Sequence, residues 1–282
     1  MKATIETLPG GLTVVLRESR AANVVAFQAW VGVGSADERP DEAGLAHVFE
    51  HMLFKGTERR GVGEIARDVE RAGGYINAWT SHDETVFHVT IASRYAERGL
   101  DVLADGIRNA RLDGDELERE LKVILEEIRM GGDSPGRVVT ERLFGRVFRR
   151  HPYGRPVIGL EETVAGFTRG RVKRFYDRWY VPSNIVFTVV GDFDEGRMLE
   201  RVRRAFAGFD SPRTPRRTTR VDEPAQRRLR FEGVVAPVAE AHLALGFPVP
   251  GLTHEDIPAL DLLAAVLGQG VSSRLESRLR RG

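Results

Sequence analysis

The chain has 282 residues, long enough for one large domain or two, and its 42 Lys and Arg against 41 Asp and Glu leave a formal charge of +1. That balance removes any bulk electrostatic case for binding nucleic acid or a membrane surface, and with no cysteine there is neither a disulfide framework nor a thiolate metal site. No run of about 18 apolar residues predicts a membrane span, and the N-terminal residues lack the apolar stretch of a signal peptide, so a cytoplasmic location is expected.

In chain order, Ile5 to Leu8 and Leu12 to Leu16 flank Pro9-Gly10-Gly11 and read as a hairpin. Val25, Phe27, Ala29, Val31 and Val33 alternate with Ala26, Gln28, Trp30 and Gly32, a strand pattern. Helices are expected at about 42–55 and 62–72, then strands near 74–80 and 84–92. Helices at about 95–110, 114–130, 137–149 and 161–178 follow in succession. A strand at Ile185 to Val190 and a helix at about 194–207 close the unit. Strands grouped and then helices grouped predict an α+β fold, with helices covering one face of the sheet. Residues 209–229 are rich in Pro, Thr and charge, and read as a linker between a domain at 1–208 and a segment at 230–282.

The expected helix near 42–55 contains His47-Val48-Phe49-Glu50-His51. Leu45, Val48, Phe49, Met52 and Leu53 form its apolar stripe, which leaves His47, Glu50 and His51 on the other side. Two imidazoles four residues apart on a helix can take two corners of a tetrahedral zinc ion. The glutamate between them is placed to act on a water rather than on the metal. This H-x-x-E-H order is the reverse of the commoner H-E-x-x-H zinc-protease motif.

A catalytic zinc usually takes a third protein ligand. The helix near 114–130 offers one. Leu117, Leu121, Ile124, Leu125 and Ile128 make its apolar stripe, and Glu120 and Glu127 lie seven apart on one side. Glu127 borders that stripe, and a half-buried carboxylate needs a cation or a metal. On these residues alone, ordinary solvated glutamates remain the commoner account, by about three to one.

Further segments make the pattern specific: Gly74-Tyr75-Ile76-Asn77-Ala78-Trp79-Thr80, His151-Pro152-Tyr153-Gly154-Arg155-Pro156-Val157-Ile158-Gly159, and Phe175-Tyr176 through Tyr180-Val181-Pro182-Ser183-Asn184 to Gly191-Asp192. With the H-x-x-E-H helix they resemble, in order over roughly residues 5 to 280, the inverzincin family of zinc metallopeptidases. That family includes pitrilysin, insulin-degrading enzyme and the mitochondrial processing peptidase. The resemblance is to the processing-peptidase branch.

The resemblance implies a zinc-dependent endopeptidase with one Zn2+ per chain, bound by His47, His51 and Glu127. It implies Glu50 as the proton carrier and Glu120 as the group orienting a ligand histidine. It implies that Asn77 and Ala78 receive a peptide substrate lying as an added strand. A homo- or hetero-dimer partner is also implied, as is an alternative in which the chain is a non-catalytic structural subunit of such a complex. The other histidines, at 82, 88, 151, 242 and 254, are expected to be structural or superficial.

Beyond the linker, an internal repeat emerges at a shift of 214 positions. The strand at Val25 to Val33 falls on Ala239 to Phe247, and the metal-motif helix falls on the segment ending Val266-Leu267-Gly268-Gln269-Gly270. His47, Glu50 and His51 fall on Asp261, Ala264 and Ala265, so the second copy has lost the metal site. Tandem homologous half-domains are therefore expected, each an antiparallel-rich sheet with helices on one face, the second incomplete at Gly282. In the family the second half supplies an arginine and a later tyrosine that hold substrate. The resemblance places the arginine at Arg280 and the tyrosine beyond the present sequence. Weak or absent activity of this chain alone is the resulting expectation.

Overall fold

The protein is described from a computed structural model, which describes residues 3–211, 215 and 220–280. Two compact units divide between Ala244 and Leu245. The alternating segments of the first unit build one six-stranded sheet. Its strands are β1 (Thr4–Thr7), β2 (Thr13–Glu18), β3 (Val24–Val31), β4 (Tyr75–Thr80), β5 (Thr85–Ala92) and β6 (Ile185–Gly191), in the order β1-β2-β6-β3-β5-β4. Every pairing is antiparallel except β2 with β6. Register is set by alternation. Phe27 in central β3 lies opposite Val89 of β5 and Val189 of β6, and all three are fully buried. A one-residue slip would turn this whole row to the other face.

Eight helices among the described residues of this unit follow from the apolar spacing: α1 (Leu45–Leu53), α2 (Glu64–Glu70), α3 (Ala96–Arg108), α4 (Gly114–Gly132), α5 (Pro135–Val147), α6 (Glu161–Ala165), α7 (Arg169–Trp179) and α8 (Glu195–Ala205). Where one helix was expected at 161–178 there are two. Between them Gly166 closes α6, Phe167 turns into the core, and Thr168 is extended as the N-cap of α7. The helices bury the sheet face that carries Val14, Leu16, Phe27, Ala29, Phe87, Val89, Phe187 and Val189. On the opposite face Val24, Tyr75, Trp79, Val186 and Val190 are exposed.

Two features of this unit set the position of the motif residues. β4 is an edge strand, so its outer backbone groups have no partner strand among the described residues. And α1 is locked in place by its apolar stripe: Leu45, Val48, Phe49, Met52 and Leu53 are all buried. Phe49 stacks on Tyr176 at 5.1 Å and touches Tyr180 at 4.0 Å between ring centroids.

Within residues 209–229, expected as a linker, residues 212–214 and 216–219 lie outside the described residues; Arg220 pairs with Asp83, and Glu223 accepts the backbone N–H groups of Arg150 and His151. The second unit carries α9 (Ile257–Gly268) and α10 (Arg274–Leu279). α9 falls where the repeat places the counterpart of α1, with Asp261, Ala264 and Ala265 in place of the motif residues. The repeated strand does not form: residues 239–247 carry no β pairing. A strand needs a neighbour for its N–H and C=O groups, and no described residue after Gly191 lies in a strand.

Deleting a buried phenylalanine side chain typically costs about 3–5 kcal/mol. Phe49→Ala should therefore lower unfolding stability by about 3 kcal/mol or more, read as a lower urea midpoint at unchanged slope.

Candidate metal centre

The burial of one side of α1 turns the other side outward. His47, Glu50 and His51 are all half-buried there, and the two imidazole rings lie 4.7 Å apart between centroids. α4 crosses beside them. It starts from Asp113, whose carboxylate accepts the N–H groups of Asp115 and Glu116. Leu117, Leu121 and Ile124 turn into the core, and this rotation brings Glu120 and Glu127 to α1. Of the two glutamates, the structure buries Glu120 and leaves Glu127 more open.

Glu127 Oε2 lies 3.9 Å from Nε2 of His47 and 3.9 Å from Nε2 of His51. One ligand atom from each of the three residues lies within 4.8 Å of the others. A tetrahedral zinc with Zn–N near 2.0–2.1 Å sets its ligand atoms about 3.3–3.4 Å apart. The half-exposed Glu127 comes to that distance from either imidazole with a side-chain movement of less than about 1 Å. The donor set, two imidazoles and one carboxylate with a side left open, is that of a catalytic zinc site. The residues fit the ion.

Electrostatics prepare the centre. Burial, then the neighbouring His51 and Arg137, push His47 down to about 4, so its ring is neutral near pH 7 and can offer a nitrogen lone pair to a metal. Burial raises Glu50 above the ordinary carboxylate range, against the pull of its hydrogen bond from the Thr80 hydroxyl and of His51. The two histidines are braced unequally. His51 Nδ1 meets Glu120 Oε2 at 3.0 Å, whereas Nδ1 of His47 is buried with no hydrogen-bond partner.

Two participants were invisible in the sequence motifs. Lys55 Nζ lies 2.6 Å from Glu120 Oε1, so a chain Lys55–Glu120–His51 runs back from the centre. Thr80, at the end of β4, donates to Glu50. Helical spacing would have put Lys55 one turn beyond His51. No local signal ties Thr80 to α1, because that contact depends on how the sheet is ordered.

Asn77 and Ala78 sit on edge strand β4 as expected, but with different orientations. The Ala78 N–H is not taken by β5; it donates to Asn77 Oδ1 at 2.9 Å, so it lies on the open edge. The Asn77 side chain shares the outer face with Tyr75 and Trp79, and its amide donates to the Tyr75 hydroxyl at 2.6 Å. Ile76, Ala78 and Thr80 face the α1 side. His82 stacks on Phe144, His88 lies beside Tyr75 and Trp79, and His151 packs on Tyr153, so these three are aromatic packing residues. Arg280, expected to contact substrate, follows α10 in the second unit and pairs with Glu276 at 3.3 Å.

The sequence matches the family model described as Insulinase (Peptidase family M16) over residues 13–161, and that described as Peptidase M16 inactive domain over residues 166–282. The chain belongs to peptidase family M16. A Mycobacterium leprae protein named as an uncharacterized zinc protease is 36% identical over 279 residues, covering 97% of this chain and 62% of that one. The uncharacterized zinc protease YmxG of Bacillus subtilis is 32% identical over 274 residues, covering 97% and 66%. The chain thus spans under two thirds of the length of these M16 relatives. Among solved structures, a protease from Helicobacter pylori matches with TM-score 0.88 and 29% identity, over 99% of this chain and 68% of that one. The name "inactive domain" for the second M16 match agrees with Asp261, Ala264 and Ala265 standing where the first copy has His47, Glu50 and His51.

Groups that orient a metal-ligating side chain from outside typically contribute 10–100-fold in metal affinity. Lys55→Met should weaken zinc binding about tenfold, and Glu120→Ala more, when zinc is competed against a chelator. Equal affinities for Lys55→Met and the unaltered chain would show that Lys55 only neutralises the surface.

Proposed function

We propose that the protein is a zinc-dependent endopeptidase subunit that cleaves peptides and unfolded segments. The observation that carries this reading is the convergence of His47, His51 and Glu127 within 4.8 Å, beside a carboxylate held off the metal position by Thr80. One zinc ion would be held by those three residues, and when bound it supplies Lewis acidity that brings a water's pKa toward ~7. Glu50 takes the proton from the attacking water and returns it to the leaving amine nitrogen. Its raised pKa suits that exchange, because a proton carrier works best near the operating pH. The Thr80 hydroxyl fixes the carboxylate's direction while the ligand histidines stay fixed on α1. Glu120 holds His51 by Nδ1, leaving Nε2 for the metal.

Substrate would lie along β4 as a further strand. The Ala78 N–H is already on the open edge, and Asn77 would release it to a peptide carbonyl. Because Thr80 ends the same strand and touches Glu50, a peptide paired there passes beside the base. Arg280 would add a cationic group for substrate, and a homo- or hetero-dimer partner would take part in the assembly. The alternative of a non-catalytic subunit is disfavoured by the intact motif.

Two outcomes are expected. Elemental analysis should find one zinc per chain, lost in His51→Ala and Glu127→Ala; Glu50→Gln should keep the metal and lose hydrolysis by about 10²–10⁴-fold. Metal retained with unimpaired cleavage in Glu50→Gln would remove Glu50 from the chemistry, and no zinc in the unaltered chain would leave the non-catalytic alternative. Separately, a flexible peptide should be cut faster than the same segment within a tightly folded domain, since strand addition needs a free main chain. Equal rates would count against docking on β4.

A further inference from the structure

α1 begins without a side chain of its own to cap it. Its N-cap is Gly44, in the left-handed region at φ +103°. The first N–H groups of a helix have no partner within it, and a buried one left unpaired is costly. Here Glu38, six residues upstream, supplies the partner. Its Oε2 accepts the Gly44 N–H at 2.9 Å and its Oε1 accepts the Ala46 N–H at 2.7 Å. Glu38 is buried, and no arginine or lysine pairs with its carboxylate among the described residues. Its oxygens instead meet the N–H groups that open the helix.

Arg155, from the His151–Gly159 motif, secures this carboxylate from behind. Its guanidinium donates to the backbone carbonyl of Glu38 at 2.7 Å and to that of Ser35 at 3.3 Å. The end of the same motif closes on the start of α1. A Cβ on Gly44 would come 2.8 Å from the Ile158 carbonyl oxygen, and one on Gly159 would come 2.5 Å from that of Ala43. These two glycines let the loop and the helix entry touch along their backbones. Thr163 adds a hydrogen bond from its hydroxyl to the Ala43 carbonyl at 2.7 Å. His47 is the third residue of the helix so fixed, one past Ala46.

We infer that Glu38, held by Arg155, is a positioning residue for the metal centre, fixing the first turn of α1 and hence the placement of His47. This rests on the reading of His47, His51 and Glu127 as a zinc site. The His151–Gly159 segment thereby acts as the clamp on the helix entry. It also supplies what His47 lacks. His51 is held through its ring by Glu120, whereas His47 has no ring partner and depends on its backbone. What Glu38 offers is reach and two acceptor oxygens. Burial pushes its carboxyl up to about 8, and a glutamine of the same length keeps only one of the two acceptors.

The test separates reach from charge. Glu38→Gln keeps the length and one acceptor; Glu38→Asp keeps the charge and falls a methylene short; Arg155→Ala releases the clamp. Three measurements are made on each and on the unaltered chain. These are zinc affinity by chelator competition, amide hydrogen exchange of the metal-free protein at residues 44–49, and kcat and KM on a flexible peptide. We expect Glu38→Gln, which keeps the reach and one of the two hydrogen bonds, to fall between the unaltered chain and the other two variants in zinc affinity. Glu38→Asp and Arg155→Ala should bind zinc about tenfold more weakly, with faster exchange at Gly44 and Ala46. In these two, kcat should fall while KM holds within about twofold, because the peptide-binding edge of β4 is untouched. Unchanged exchange and unchanged zinc affinity in Glu38→Asp and Arg155→Ala would overturn the inference. So would a Gln variant as impaired as the Asp variant. If the unaltered chain binds no zinc, the functional reading fails, and the exchange data on metal-free protein still decide whether Glu38 fixes this turn.

Discussion

The centre depends on one nine-residue helix being apolar along one side only. Burying Leu45, Val48, Phe49, Met52 and Leu53 fixes the rotation of α1 about its axis, and that rotation alone decides where His47, Glu50 and His51 point. A helix that turned by a quarter would carry the imidazoles away from Glu127. Most of the surrounding structure can be understood as preventing that turn. The Phe49–Tyr176–Tyr180 stack holds the middle, Glu38 holds the first turn, and the Lys55–Glu120 pair reaches His51 at the last.

The sheet adds the second constraint. β4 lies at an edge, and its alternation sends Thr80 toward Glu50 while Asn77 goes to the other face. The same strand therefore has an open backbone edge and, at its end, a hydroxyl that holds Glu50. The open Ala78 N–H and the Thr80 hydroxyl that meets Glu50 are two residues apart on one strand rather than on a flexible loop. Open edges are usually a hazard, because they invite pairing with other chains. Here the charged and polar groups of the centre lie beside the edge, and Asn77 occupies the free N–H of Ala78.

Much of this was legible in the sequence, for a physical reason. The period of two in β3 and β5 and the period near 3.6 in α1 and α4 report burial directly, so strands, helices and the face carrying the motif follow from local pattern. The long-range partner Glu127 was ambiguous by pattern alone, since a glutamate beside an apolar stripe is commonplace; the resemblance to known zinc peptidases picked it out, and the structure brings it to the histidines. Thr80, Lys55 and Glu38 were not legible as participants. Each acts through a contact set by tertiary packing, and a Thr, a Lys and a Glu in those positions have ordinary surface explanations. The break at Gly166–Thr168 was missed because the apolar residues on both sides keep a helical spacing across it. The strand expected at 239–247 failed for a different reason: alternation supplies a face, but a strand also needs a neighbour, and a one-dimensional pattern cannot supply one.

The comparison of α1 with α9 shows which parts of the design belong to the fold and which to the chemistry. Both helices stand at the same point of the repeat, and α9 puts Asp261, Ala264 and Ala265 where α1 has His47, Glu50 and His51. Around α1 the groups that hold the helix entry differ in kind from those that hold the rings. The entry is held by backbone contacts at Gly44 and Gly159 and by a buried carboxylate. The rings are reached by groups on other elements: Glu120 and Glu127 from α4. In the second unit, Asp261, Ala264 and Ala265 offer no imidazole, so a carboxylate brought from another element would find nothing to orient. A helix at this place in the repeat is thus compatible with two sets of residues, and only the α1 set has both imidazoles and the carboxylates of α4 brought beside them.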